Sequence, residues 1–182
     1  MKMGVSMKQT LDQSIELKHR VLRCIDRPID QITVTDICAA CGISRQTFYT
    51  HFKSKYDIAY WYLALAEDLY LFEVGRSLSL SAGLSAFFAF LYEEKEALSL
   101  AFEKEPSKDE LRVRLERTIG QLAMTLQDLG VELTEDKMFC LGYTVESANC
   151  LVAGWCLRGM EVPPEVMARR VEMCVPQALI PE

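Results

Sequence analysis

Gly42 separates two short amphipathic segments, and this arrangement limits the folds open to the chain more than any other feature. The run from Thr33 to Phe52 reads TVTDICAACGISRQTFYTHF. Thr33 followed by Asp36 is typical of a capping box at a helix start, and Ser44 is a favourable N-cap for a second helix. Glycine tolerates the left-handed turn between them. The pattern predicts a helix-turn-helix unit.

Helical periodicity also dominates outside this unit. Apolar residues recur every three or four positions over residues 11–27, and Pro28 ends that first helix. Further helices are expected over residues 54–76, over residues 81–100 with a break near Glu93, and after Pro106, Thr134 and Pro163. Alternating strand patterns do not recur. An all-α protein of about eight or nine helices is the predicted fold class.

The charge is distributed unevenly. The whole chain of 182 residues has a formal net charge of −6, which by itself argues against a nucleic-acid partner. Residues 1–55, however, carry nine basic and five acidic side chains, a net of +4, and residues 56–182 have a net charge of −10. This asymmetry predicts two tasks in one chain.

The second helix of the unit has the side chains that a DNA-binding helix needs. Arg45 and Gln46 lie at its N-terminal end and are long enough to reach base edges in a major groove. Its shorter hydroxyl and imidazole groups suit phosphate oxygens, and Lys53 and Lys55 add positive charge beyond its end. The alternative is a solvated polar face on a purely structural helix pair.

The segment ITVTDICAACGISRQTFYTHFKSKYDI closely resembles the DNA-binding signature of the TetR family of bacterial transcriptional regulators, which has a Thr-capped helix, a Gly turn and Thr-Phe-Tyr-x-His-Phe. RQTFYTHFKSKYD and WCLRGMEVPPE also resemble a branch that includes regulators of dihydroxyacetone kinase operons. With the residue chemistry, the resemblance predicts base contacts from Arg45, Gln46 and Tyr49, and phosphate contacts from Thr33, Ser44, Thr47, Thr50, His51, Lys53 and Lys55.

The resemblance further implies a homodimer that binds a double-stranded DNA operator. Seven cysteines, an odd number with mostly apolar neighbours, and no visible secretory signal predict a cytoplasmic location. Residues 1–53 would bind DNA, and residues 54–182 would bind an effector and dimerise. The expected function is sequence-specific transcriptional regulation, by default repression, under control of an unknown small-molecule effector or partner protein. The competing hypothesis is a protein-interaction module that keeps the helix-turn-helix as scaffold. No stretch is apolar and long enough for a membrane span.

Two further sets of residues are candidates in the second domain. The aromatic candidates for a ligand pocket are Trp61, Tyr62, Phe87, Phe90 and Tyr143, with ordinary core packing as the alternative. Small residues along the helix after Thr134 favour close helix–helix approach. The candidates for a dimer interface are Leu151, Trp155, Val166, Val171 and Met173, with packing inside one chain as the alternative.

The sequence offers little for catalysis. With two histidines and no glycine-rich phosphate loop, nucleophilic and nucleotide chemistry lack their parts, so we expect no enzyme, cofactor or metal. Cys38 and Cys41 form a C-x-x-C without further zinc ligands nearby, which favours buried packing. His19 is predicted on the solvated side of the first helix, and Glu67 in a solvated acidic face.

Overall fold

The computed structural model describes residues 3–102 and 108–180, with side chains described for residues 12–102 and 111–180. These ranges contain nine α-helices and no β-strand, apart from one isolated bridge between Val74 and Leu78. The predicted all-α class is confirmed. The helices are α1 Met3–Arg23, α2 Val34–Cys41, α3 Arg45–His51, α4 Asp57–Ala66, α5 Leu80–Glu93, α6 Lys95–Ala101, α7 Lys108–Asp128, α8 Glu135–Leu157 and α9 Pro164–Glu172.

The helix-turn-helix forms as its capping residues predict. Asp36 N donates to Thr33 Oγ1 at 3.1 Å, and Thr33 N donates to Asp36 Oδ2 at 3.0 Å, which completes the capping box. Gly42 closes α2 in the left-handed region, with φ of 66°. Ser44 then caps α3 by accepting a hydrogen bond from Thr47 N at 3.0 Å. Local chemistry therefore sets both helix starts and the turn.

The helix expected over residues 54–76 is shorter than predicted. Asp57 Oδ2 accepts from Ser54 N at 2.9 Å, so Ser54 lies in the turn before α4, which begins at Asp57. After Ala66 the helix continues as a π-helical segment, Glu67–Leu71, with one wide turn. The chain then leaves the helix, and Gly75 has φ of 81°, which ends the element before Arg76.

The C-terminal helices follow the other predicted boundaries. Glu94 separates α5 from α6, as expected from the Glu93-Glu94 pair. Thr134 caps α8, and Pro164 occupies the first turn of α9. Pro106 and Ser107, expected to open α7, lie outside the described residues. Short 3-10 turns occur at Ile29–Gln31 and Gln177–Leu179.

One apolar core runs from the helix-turn-helix unit into the C-terminal helices. Leu22 and Phe48 are fully buried at its N-terminal end, and Trp155 is almost fully buried at the other. Tyr62 of α4 is also fully buried, between these two ends. Because the core is continuous, a displacement of α4 is felt on both sides of the boundary expected at residue 53.

The solvated position predicted for His19 is wrong. Its ring stacks on Tyr62 with a centroid distance of 5.0 Å, and it lies edge-on to Trp61 at 6.2 Å. Phe90 of α5 stacks on Tyr62 with a centroid distance of 4.7 Å and on His19 at 6.4 Å. Among described side chains His19 Nε2 is buried without a hydrogen-bond partner. We call His19, Trp61, Tyr62 and Phe90 the junction cluster, because they join α1 to α4 and α5.

Candidate nucleic-acid interface

Packing determines which face of α3 is available to a ligand. Phe48 is fully buried and its ring lies 5.3 Å from that of Phe52, which fixes one side of the helix against the core. Arg45, Gln46 and Tyr49 are exposed, and their spacing places them within an arc of about 100° on α3. The three residues predicted to contact bases therefore share an open helix face.

Arg45 and Tyr49 contact each other on this face. The Arg45 guanidinium carbon lies 6.0 Å from the Tyr49 ring centroid, at the outer range of a cation–π contact. Tyr49 remains 49% exposed, although it is a large aromatic residue. An exposed ring beside an arginine, near the start of a capped helix, suits contact with base edges and a thymine methyl group.

The hydroxyl groups predicted to bind phosphate already make local hydrogen bonds. Ser44 Oγ and Thr47 Oγ1 are 2.8 Å apart, and Thr50 Oγ1 donates to Gln46 O at 3.0 Å. Thr33 Oγ1 donates to Asp36 Oδ2 at 2.8 Å. These bonds hold the hydroxyl groups of Thr33, Ser44 and Thr47 in place at the N-terminal ends of α2 and α3, where backbone amides attract an anion. Thr50 lies near the C-terminal end of α3.

Lys53 and Lys55 differ in their surroundings. Lys53 is exposed, whereas Lys55 is half-buried and its Nζ donates to Ile32 O at 2.8 Å and to Asp30 O at 3.4 Å. Lys55 thus binds the turn before α2 as well as carrying charge. His51 is half-buried, with Nδ1 3.4 Å from Ser14 Oγ of α1.

The two cysteines of the C-x-x-C are core residues. Cys38 and Cys41 are both buried, and no group of three metal-ligating side chains occurs in the part of the chain that the structure describes. Burial raises the pKa of Cys38, and burial with a hydrogen bond to Cys24 raises the pKa of Cys41 to about 12. Both thiols are therefore protonated at neutral pH and pack as small apolar groups.

Comparison with known proteins assigns the segment around this face. The family described as bacterial regulatory proteins, tetR family, matches residues 24–59, which include α2, α3 and the loops around them. We refer to residues 24–59 as the tetR-family segment. No curated protein sequence matches the chain.

A solved structure gives a likeness over the rest of the chain. It is named dihydroxyacetone kinase operon activator DhaS, and the match covers 88% of this chain and 94% of that one, with a TM-score of 0.55. At 17% sequence identity the likeness concerns the fold alone. The nine described helices thus place the tetR-family segment in a helical architecture that a solved protein also has. No described helix is long and apolar enough to cross a membrane.

Beyond the tetR-family segment, a cavity of about 350 Å³ lies between α4, α5, α7, α8 and the end of the chain. Leucine, valine and phenylalanine side chains form most of its wall, and Glu67, Arg114 and Asn149 bring polar groups to it. The solvated position predicted for Glu67 is wrong, because the side chain is 6% exposed and Thr118 Oγ1 donates to it at 3.0 Å. Hydrophobic periodicity could not predict that Glu67, Arg114 and Asn149 meet at the cavity, because they lie on three separate helical segments.

The predicted pocket aromatics lie in three different places. Phe87 lines the cavity. Trp61, Tyr62 and Phe90 form the junction cluster with His19 and are not among the residues that line it. Tyr143 is 67% exposed on the outer side of α8. Most of the predicted pocket aromatics therefore contact α1, α4 and α5 at the junction cluster, and only Phe87 lines the cavity.

The predicted dimer residues also divide. Trp155 and Val171 are buried within the chain, and Trp155 Nε1 donates to Val162 O at 2.8 Å. Their side chains are therefore covered before any partner arrives. Leu151 is exposed, Val166 is half-buried, and Met173 is 80% exposed.

α8 has an exposed apolar face that its sequence pattern did not predict. Phe139, Tyr143 and Leu157 are exposed, and their spacing of four and fourteen residues places them on one side of the helix. Cys150, also exposed, lies on the same side. We call these four residues the α8 face. The sequence contains this spacing, but α8 also has hydrophobic residues on its other sides, so no single apolar face stands out.

Proposed function

We propose that the chain is a sequence-specific DNA-binding transcriptional regulator that acts as a homodimer and is controlled through the cavity in its C-terminal helices. The observation that carries this proposal is the exposed face of α3, with Arg45, Gln46 and Tyr49 at the start of a capped helix inside the tetR-family segment. In this proposal residues 1–53 bind DNA and residues 54–182 bind the effector and the second subunit.

The proposed contacts separate base recognition from positioning. Arg45 and Gln46 enter the major groove and hydrogen-bond base edges, and Tyr49 packs against a thymine methyl group. Thr33, Ser44 and the N-terminal amides of α2 and α3 hold phosphates on either side. Thr47, Thr50, His51, Lys53 and Lys55 complete the phosphate contacts at the edges of the face.

Binding to the DNA upstream of the chain's own gene tests this proposal. We expect salt-dependent binding of that fragment, measured by fluorescence anisotropy, and a loss of about 1–3 kcal/mol with Arg45→Ala. Arg112→Ala removes the same charge from an exposed i,i+4 pair with Glu116 on α7 and should leave affinity unchanged. Equal affinity for specific and scrambled DNA would leave only the competing scaffold role.

The homodimer is supported by the α8 face, which exposes two aromatic rings and a leucine on one helix. A second copy that packs α8 against α8 would cover these residues and place two α3 helices on two half-sites of one operator. Leu151, Val166 and Met173 would lie at the edge of this contact. Phe139→Asp should convert the dimer to monomer in analytical ultracentrifugation, whereas Val113→Asp, at an exposed position on α7, should not.

Control by a ligand is supported by the position of the cavity beside α4. A ligand that binds one arrangement of α4 better than another shifts the population toward that arrangement and so changes the separation of the two α3 helices. Repression is the proposed direction. The structurally similar protein DhaS is named an operon activator, so a reporter gene with and without this protein decides the sign of regulation. Repression requires higher expression without the protein.

A further inference from the structure

We propose that the cavity binds a neutral amphiphile, with one uncharged oxygen head group at Glu67, Arg114 and Asn149 and an aliphatic chain along α7. This inference rests on the proposed function only in regarding the cavity as a ligand site, and it adds the chemical class of the ligand.

The shape of the cavity favours a chain-like tail. Its wall on α7 contains Arg114, Leu122 and Leu126, and the twelve-residue separation of the first and last of these corresponds to about 18 Å at the helical rise. Arg114 Nη2 donates to Asn149 Oδ1 of α8, which places the polar residues at one end. The remainder of the wall on α7 is mainly leucine, so the opposite end is apolar.

Most hydroxyl groups in the wall already donate a hydrogen bond within the protein and cannot donate one to a ligand. Thr118 Oγ1 donates to Glu67 Oε2 at 3.0 Å, Thr125 Oγ1 to Gln121 O at 3.1 Å, and Thr144 Oγ1 to Cys140 O at 2.7 Å. These threonines can therefore act toward a ligand only as hydrogen-bond acceptors. Donors for a ligand oxygen come from Arg114 and Asn149 at the end of the cavity.

The charges around that end already compensate one another. Glu67 Oε1 lies 3.8 Å from Arg114 Nη1, and Glu67 Oε2 lies 3.5 Å from Arg117 Nη1. Arg117 Nη2 also donates to Asp68 Oδ1. Two carboxylates and two guanidinium groups leave no net charge, so a charged head group would bring an uncompensated charge into a buried site.

The pKa shifts of Glu67 and Arg114 agree with this compensation of charge. Burial raises the pKa of Glu67, against the opposing effects of Arg114, Thr118 and Arg117. Burial lowers the pKa of Arg114, against the opposing effect of Glu67. Both shifts mean that the environment disfavours isolated charge.

Asn149 supplies the free donor for the head group. A guanidinium group only donates, so the bond from Arg114 fixes Oδ1 as the acceptor and leaves the Nδ2 hydrogens for another partner. No described residue accepts a hydrogen bond from Asn149 Nδ2. A hydroxyl or carbonyl oxygen of a ligand can accept from Nδ2, and a hydroxyl can also donate to Glu67 Oε1, which lies beyond hydrogen-bond distance from Arg114.

Three ligands with one chain length test the proposal: decanol, decanoate and decylamine, titrated into the full-length protein at pH 7 without DNA and followed by calorimetry. We expect decanol to bind, and both ions to bind at least about tenfold more weakly because of the cost of burying their charge. An ion that binds as tightly as decanol overturns the neutral head group. Absence of decanol binding up to its solubility limit overturns the amphiphile site.

Variants locate the bound ligand. Asn149→Ala should weaken decanol binding about 3-fold to 10-fold through loss of one hydrogen bond. Ala148→Leu fills the cavity and should abolish binding, whereas Ser147→Leu, on the exposed side of the same turn, should not. Melting temperatures without ligand identify any variant that fails to fold. Unchanged decanol affinity in folded Asn149→Ala overturns the assigned head-group position.

The same measurements distinguish this inference from the proposed function. Decanol binding is measured without DNA, and operator binding is measured separately for wild-type protein and Ala148→Leu. If decanol binds as expected but leaves operator affinity unchanged, the ligand class stands and regulation through this ligand fails. If the ions bind best while Arg45→Ala still loses operator affinity, the DNA-binding proposal stands and the ligand class fails.

Discussion

Arg23, at the end of α1, donates from Nε to Oε1 of Glu94 at 2.6 Å, and its Nη2 contacts the same oxygen. Glu94 is buried at the break between α5 and α6, whereas most of the Arg23 side chain is exposed. This pair joins the last residue of the first helix to the C-terminal helices, 71 positions further along the chain. It lies beside the junction cluster, which links the same parts of the molecule through aromatic contacts.

Loss of Arg23 should destabilise the protein by leaving Glu94 buried without its partner. We expect Arg23→Ala to lower the free energy of unfolding by on the order of 1 kcal/mol, a value kept small because the arginine is largely in solvent. A double-mutant cycle with Glu94→Gln isolates the interaction. Additive effects of the two substitutions in urea unfolding would contradict a stabilising pair.

Protonation of His19 should destabilise the folded protein. Burial lowers the pKa of His19; Glu94 raises it, Arg23 lowers it and Glu93 raises it by smaller amounts. Because the folded pKa lies below the unfolded value near 6.5, the unfolded chain binds the proton first, and stability falls as the pH drops below about 6.5. We expect the melting temperature to fall less between pH 7 and pH 5 in His19→Phe than in the wild type.

His51→Gln is the matched control for this experiment, because the chain has only two histidines. If the melting temperatures of wild type and His19→Phe fall by the same amount between pH 7 and pH 5, His19 does not couple protonation to folding.

Ser44 has two predicted roles, and substitutions can separate them. Its hydroxyl caps α3, so Ser44→Ala should cost about 1 kcal/mol of stability as well as DNA affinity. Ser44→Asp keeps a capping oxygen but adds negative charge next to the DNA backbone. We expect near wild-type unfolding in urea for Ser44→Asp, together with weaker DNA binding. If folded Ser44→Asp binds DNA with wild-type affinity, the predicted phosphate contact of Ser44 is wrong.

Lys55 should contribute to folding as well as to DNA binding. Lys55→Ala removes the hydrogen bonds to the carbonyls of Ile32 and Asp30, so we expect a loss of about 1 kcal/mol in stability. It should also weaken binding to all DNA sequences alike and reduce the slope of log affinity against log salt concentration by about 1. Lys53→Ala, at an exposed position, should change the salt slope without changing stability. A sequence-selective loss in Lys55→Ala would contradict a phosphate contact.

The helix-turn-helix could be predicted because local interactions determine it. Thr33 with Asp36 and Ser44 with Thr47 are capping pairs three residues apart, and Gly42 is the one residue type that accepts the left-handed turn without strain. The buried face of α3 also followed from the spacing of Phe48 and Phe52. These features depend on residues that are neighbours in the chain, so the sequence contains their full pattern.

The cavity and the junction cluster could not be predicted, because their partners are distant in the chain. Glu67 looks like a solvated helix residue until Thr118, 51 positions away, binds it. His19 likewise follows the polar pattern of α1, and only the approach of Tyr62 and Phe90 partly covers its ring. Tertiary contacts of this kind leave no periodic signal in either segment.

The junction cluster gives the protein an intrinsic optical probe. Trp61 and Trp155 are the two tryptophans of the chain, and Trp155 is enclosed in the C-terminal core. The Trp61 ring centroid lies 6.2 Å from that of His19, and six residues further along the chain Glu67 reaches the cavity. With Trp155→Phe, the emission of one fluorophore would report both protonation of His19 and movement of α4. Changes at the boundary between the two halves can then be followed without an attached dye.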